Sequence, residues 1–588
     1  WLLTQQPFRV QDCDADLPVA ANKSSHDPRG TTLTENARNT KLQNEMGMTH
    51  LPETDHARRA DEEKPANRLG PDPNLVGWEE NDPENPHNFS TLYKCWITFQ
   101  LGMLALSASL GSSITSPAQT KLEAYLDIST EVSILPVSLY ILGFAFGPLC
   151  WAPISEIWGR RWSMLPAVFM LGIFSIGTAT SKNTAAVLIT RYFAGVFGSA
   201  PVSNVSAALG DFFHMKARAV AGTSYAICVV GGPTMGPIIG AALTNNPRLG
   251  WRWTEYIEAI IVFFVFTVTF FCLPEVYGPV LLHKKAKRLR KETGNQELYH
   301  PHEHLKVDAY SIVTKHFSRP LVMLVTEPMV TVIALYASFT YALLYLTLEV
   351  FPIVFNEIRQ WKPVVATLPF IGLFVGVLLS AAFVILVGQP YYIRKWEEGG
   401  GNPVPEARLM PMAVGGFLFT GGLFWFGWTA EPSYSWGLPV VAAVMFGCGF
   451  CIIFGQCINF LVDTYGPYAA SATASNTFLR SVLAAAFPLF AKQMFHNLGV
   501  GPAMSILGGI AAALIPVPFL FRIYGPPDKG RRDQEVSEWS PMLLTIRGYG
   551  RFEYLIKGCA QHMRAGKLLA LRALPLAGGA LLSLLATA

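Results

Sequence analysis

Residues 151–162 read "WAPISEIWGRRW". Long apolar stretches lie on both sides, yet Glu156, Gly159, Arg160 and Arg161 crowd into this short interval. The flanking stretches, 132–152 and 162–180, are each close to the ~20 residues needed to cross about 30 Å of hydrocarbon. The interval therefore reads as a tight polar turn between two membrane spans. Two arginines alone would anchor such a turn on one face of a bilayer. The acid and the glycine at fixed spacing ask for more than an anchor.

Working outward, the whole chain follows the same plan. Its 588 residues are 51% hydrophobic and only 15% charged, where soluble domains carry roughly 25% charge. Mean hydropathy is +0.31 and the net charge is +4. Spans are expected at 94–116, 132–152, 162–180, 185–209, 218–243, 253–273, 323–350, 366–387, 410–428, 437–461, 470–491 and 502–523. The domain plan is a polar, disordered cytoplasmic tail (1–92), a six-helix bundle (93–273), a basic cytoplasmic linker (274–320), a second six-helix bundle (321–525) and a tail (526–588). Residue 1 is Trp, so the start is expected upstream or at Met46 or Met48. Without a secretory signal peptide, the first span serves as its own insertion signal. Two similar halves around a polar linker are the plan of transporters built from repeats.

Lys and Arg set the orientation. One set of loops holds Arg160 and Arg161, Lys216 and Arg218, the cluster Lys284, Lys285, Lys287, Arg288, Arg290 and Lys291, then Arg394, Lys395 and Arg408; Arg531 and Arg532 follow the last span. That side is expected to be cytoplasmic, with both tails on it, which leaves the Asn88 sequon out of reach of glycosylation. Cys448, Cys451 and Cys457 share one apolar helix with no His or acid at ligand spacing, so they read as packing residues. No disulfide framework, metal site or cofactor is expected. A Walker loop is absent, and no catalytic grouping of His, Asp or Ser stands out.

The stretch 147–161, "GPLCWAPISEIWGRR", resembles the loop between the second and third helices of the major facilitator superfamily, with Glu156 in the acidic position and Gly159, Arg160 and Arg161 at its end. Ala152 stands where that family usually has glycine. The resemblance implies a cytoplasmic latch: Glu156 against the start of the eleventh span near Ala470, where free N–H groups favour an anion, and Asp211 as partner of Arg160 or Arg161. In the fourth span, Arg191, Gly195, Ser199, Ser203 and Ala207 recur every four residues, a small face carrying one Arg. Membrane helices approach closely along such faces, and a charge there is costly and functional. This Arg-x-x-x-Gly pattern is similar to one linked to proton coupling; the alternative is an Arg bonded to backbone carbonyls.

In the fifth span, "GTSYAICVVGGPTMGPIIGA", Gly222, Gly232, Gly236, Pro237 and Gly240 resemble the antiporter pattern of proton-coupled exporters, with Ala241 replacing its last glycine. Together with "DPENPHNF" at 82–89, "PEARL" at 405–409 and the stretch "INFLVDTYGPYAASATASNTFLR", the chain resembles fungal drug:proton antiporters with twelve spans over about residues 78–530. The expected fold class is an all-α membrane protein with two six-helix bundles. The expected function is proton-coupled export of small organic molecules — drugs, toxins or polyamines — by alternating access. A substrate and proton cavity is expected to hold Arg191, Asn204, Glu327, Tyr336, Tyr341, Glu349, Asn476 and Arg480, with Glu327 or Glu349 carrying the proton. Rival readings are an uptake symporter of the same fold and, less favoured, a membrane receptor or enzyme. Expected partners are small molecules, protons and the lipid bilayer, without nucleic acid, in a monomer. The plasma membrane is favoured over the vacuolar membrane. Nothing after about residue 532 resembles the family; an exon wrongly assigned is favoured there over an interfacial helix or a thirteenth span.

Overall fold

The computed structural model describes residues 74–304, 318–400 and 403–524. The expected tail before residue 74, the middle of the linker, and the tail with Arg531 and Arg532 lie outside the described residues. Among the described residues, twelve helical stretches are long and apolar enough to cross a membrane, each built on one main helix. In the first half they are α1 (Thr91–Gly111), α2 (Thr130–Trp158), α3 (Arg160–Thr180), α4 (Thr184–Phe212), α5 (Met215–Thr244) and α6 (Arg252–Cys272). The second half holds α7 (Pro328–Phe351), α8 (Pro369–Phe383), α9 (Glu406–Trp428), α10 (Gly437–Tyr465), α11 (Ala469–Leu498) and α12 (Val500–Leu514).

Two expected spans differ in an instructive way. The seventh breaks at Glu327 into Arg319–Thr326 and α7, because Pro328 pushes the residue before it out of helical geometry (φ −101°, ψ 100°). The eighth runs past its expected end at 387, through a π-helical turn at Val384–Gly388 and a polar helix Gln389–Glu398. Hydropathy alone cannot follow a helix out of the hydrocarbon.

Each half has its own apolar core. One cluster joins residues of α1–α6, and the other joins α7–α12. Val137, Ile141 and Val230 of the first half belong to the second cluster, so apolar packing continues across the interface. There α2 lies against α11 and α5 against α8. Residues 74–90, expected within the disordered tail, have a defined course. Val76 and Asn74 exchange backbone hydrogen bonds with Tyr299, Asp82 pairs with Lys285 at 2.6 Å and Glu84 with Arg288 at 2.6 Å. The acids of this strap neutralise one side of a linker helix, Gly278–Thr293, whose length the linker's charge had hidden.

Candidate functional site

At the end of the molecule that carries residues 156–161, Gly159 turns the chain from α2 into α3 with φ +96°, a conformation that favours glycine. Arg160, nearly buried, pairs with Asp211 at 2.7 Å, donates to Ser155 Oγ at 2.6 Å and lies 4.6 Å over the Tyr277 ring. The acid at a helix start here is Glu275. Its carboxylate accepts the N–H groups of Arg160 (2.9 Å) and Arg161 (3.1 Å), capping α3. Sequence reasoning passed over it, although an acid three residues beyond α6 was a visible signal. Glu156 is half-buried, and its expected bond to the start of α11 is not formed in this conformation; no hydrogen bond or ion pair joins its side chain to another described residue.

The second half repeats the arrangement. Arg408, at the start of α9, pairs with Asp463 of α10 at 2.9 Å and stacks 3.4 Å over Tyr392. An Arg opening the third helix, an Asp closing the fourth and a nearby Tyr thus occur in both halves, a symmetry the aligned residues do not display.

Arg191 is fully enclosed in the first half. It faces Glu255 at 3.1 Å and Glu258 at 3.5 Å, donates to Gly111 O (2.6 Å), Thr115 Oγ1 (3.0 Å) and Pro136 O (3.3 Å), and lies 4.5 Å over Tyr140. Its place is therefore a junction of α1, α2, α4 and α6 rather than the interface between halves. Glu255 completes this site and was missed; Glu255-x-x-Glu258, two acids three apart in an apolar helix, was its signal.

The glycines of α5 explain themselves by distance. A Cβ at Gly232 would meet Ser109 and Leu110 of α1 at 2.5 Å, one at Gly236 would meet Ser113 Oγ at 2.1 Å, and one at Gly240 would meet Ile114 O at 2.1 Å. They let α5 and α1 touch backbone to backbone. Gly222 has open space around it, and Pro237 is buried in the same helix.

Between the halves lies a polar and aromatic seam. Ser112 of α1 bonds Tyr345 Oη at 2.9 Å, and Tyr345 Oη is 3.5 Å from Tyr341 Oη. Arg480 sits 4.7 Å over the Tyr341 ring and 4.9 Å over Phe454. Asn476 is one turn earlier on α11. Towards the far end, Gln119 Nε2 donates to Glu349 at 2.7 Å, and Gln493 reaches Glu131 at 3.5 Å. The two halves are thus tied at the end opposite Arg160.

Three more expected cavity residues, besides Arg191, lie elsewhere. Asn204 donates to Trp151 O (3.3 Å) and Ser163 Oγ (3.2 Å), which fixes it among α2, α3 and α4. Tyr336 turns its hydroxyl towards Gly416 of α9, inside the second half. Glu327 stands at the break before α7, 3.5 Å from Tyr465 Oη, at the mouth of that end. Helical phase explains Tyr336: counted from Tyr341 and Tyr345, a step of five residues turns it to another face.

Two helical bundles meeting along a polar and aromatic seam make a transporter-type scaffold, and the chain belongs to the major facilitator superfamily, whose family model matches residues 101–488. Among relatives, it is 40% identical over 457 residues to the major facilitator superfamily multidrug transporter FLU1 of Candida albicans, covering 77% of this chain and 75% of that one. It is 39% identical over 447 residues to the efflux pump bik6 of Gibberella fujikuroi, covering 76% and 92%. Among solved structures, the proton:xylose symporter XylE matches in fold with TM-score 0.55 at 14% identity, over 74% of this chain and 97% of that one. The protein is a membrane transporter of small molecules, not an enzyme.

Proposed function

We propose that this chain exports small organic molecules in exchange for protons, by rocking its two halves about the seam. The loops holding Arg160, Arg218 and Arg408 face the cytoplasm, and the end tied through Glu349 faces outward. The observation that carries the reading is the Gln119–Glu349 bond: an ionisable group, almost fully buried, sits inside a contact that must open for release. Burying a bare carboxylate is expensive, and a proton removes that expense. After releasing cargo outside, the empty carrier therefore closes its outer end more readily once Glu349 has taken a proton. The proton then leaves on the cytoplasmic side. Export rather than uptake is supported by the relatives' names and by the glycine–proline face of α5.

The test is cargo movement in reconstituted vesicles under an imposed pH gradient. Glu349→Gln should lower gradient-driven movement by about tenfold or more while leaving cargo-for-cargo exchange intact, since exchange needs no proton step. Uphill movement of cargo that persists after both the pH gradient and the membrane potential are collapsed refutes the reading.

A further inference from the structure

We infer that the cargo is a planar aromatic acid, a carboxylate or phenolate held between the halves by Arg480 and Asn476; this rests on the transport reading above and narrows it. Arg480 is 4% exposed and has no hydrogen-bond or ion-pair partner among the described residues. The rings of Tyr341 and Phe454 lie 4.7 and 4.9 Å from its guanidinium. Asn476, fully buried one turn away, leaves both its amide nitrogen and its amide oxygen without a partner. Buried polar groups in folded proteins are almost always satisfied, and an unpaired charge within a membrane bundle marks a ligand path. The contrast with Arg191 is direct: that guanidinium is met by two carboxylates and two carbonyls.

The chemistry of these unpartnered groups defines what they would hold. A guanidinium presents parallel N–H donors that match a carboxylate's two oxygens. Tyr341 and Phe454 stack nearly parallel, 5.7 Å apart, and Phe450 extends the stack at 5.8 Å. A flat aromatic ring continues such a stack. The Asn476 amide adds one donor and one acceptor for a neighbouring hydroxyl or carbonyl. Cations such as polyamines find no free acid beside Arg480 among the described residues. Glu349 is engaged by Gln119, Glu255 and Glu258 hold Arg191, and Glu327 lies about 20 Å along the helix axis from Tyr341.

A binding titration separates this inference from the transport reading. Isothermal titration calorimetry on the detergent-purified full chain, at neutral pH, compares 1-naphthoate with 1-naphthylmethylammonium, two probes of one shape and opposite charge. The acid should bind at least about tenfold tighter. Arg480→Gln should bring the two within about twofold, and Arg480→Lys should keep part of the preference. Asn476→Asp, which gives Arg480 an internal partner, should weaken the acid about tenfold or more. Equal binding, preference for the ammonium, no binding of the acid, or a preference unchanged in Arg480→Gln overturns the inference. Direction and proton dependence do not enter this measurement. A failure of gradient-driven export in vesicles therefore sinks the transport reading alone.

Discussion

Two arginines inside the membrane bundles illustrate how differently one residue type is used. Arg191 ties four helices through a full set of partners, so Arg191→Ala would leave Glu255 and Glu258 buried without their cation. Breaking such a group costs about 3–5 kcal/mol, and a lower midpoint in a thermal stability assay of the purified protein is the expected outcome; Glu258→Gln should be milder. Arg480 has the opposite balance. Its charge is buried without a countercharge among the described residues, so Arg480→Gln should leave the cargo-free protein as stable or more stable while removing its preference for the acid. Both arginines were legible in the sequence as intramembrane charges. The partners of Arg191 were not, because they come from segments 55 to 80 residues away in the chain, as Glu255 does (|i−j| 64).

At the scale of elements, the α5–α1 contact and the strap on the linker helix make separate predictions. Gly236→Leu forces a side chain into Ser113, and overpacking of this kind costs about 1–3 kcal/mol. Transport and thermal midpoint should both fall, whereas Gly222→Ala, in open space, should change neither; paired uptake and stability measurements on the two variants check this. The strap responds to pH through Asp82, whose carboxyl is held below its ordinary value chiefly by its hydrogen bond to Lys285. A depressed carboxyl stabilises at pH above its unfolded value of about 3.9 and loses that contribution as pH falls through the lower folded value. Protease protection of residues 74–90 should thus be flat from neutral pH down to about pH 5 and fall only in stronger acid. Asp82→Asn should lose it even at neutral pH. The glycine spacing on α5 was plain in the sequence. The strap was hidden, because its polar composition reads as disorder until the linker's basic helix supplies the countercharge.

For the whole molecule, the ties at Ser112–Tyr345, Gln119–Glu349 and Gln493–Glu131 close one end while Glu156 stays unengaged at the other. Gln119→Cys with Glu349→Cys, in a background lacking native cysteines, should lock that end when oxidised and stop cargo-for-cargo exchange, the step that needs no proton, with reductant restoring it. Should exchange continue in the cross-linked protein, the end tied through Glu349 does not open during transport. The twin pairs Arg160–Asp211 and Arg408–Asp463 brace equivalent positions of the two halves.

Twelve spans, two halves and the family were already written in the sequence, because the bilayer imposes span length and apolar composition locally, and because the turn at 156–161 keeps its chemistry within a few residues. The assignment of side chains to seam, core or mouth was decided only in three dimensions. Asn204, Tyr336 and Arg191 read as cavity residues by type, yet each faces the inside of its own half. Helical phase and the packing of distant helices, neither of which a single chain's order records, determine which way a buried polar group points and whether anything meets it there.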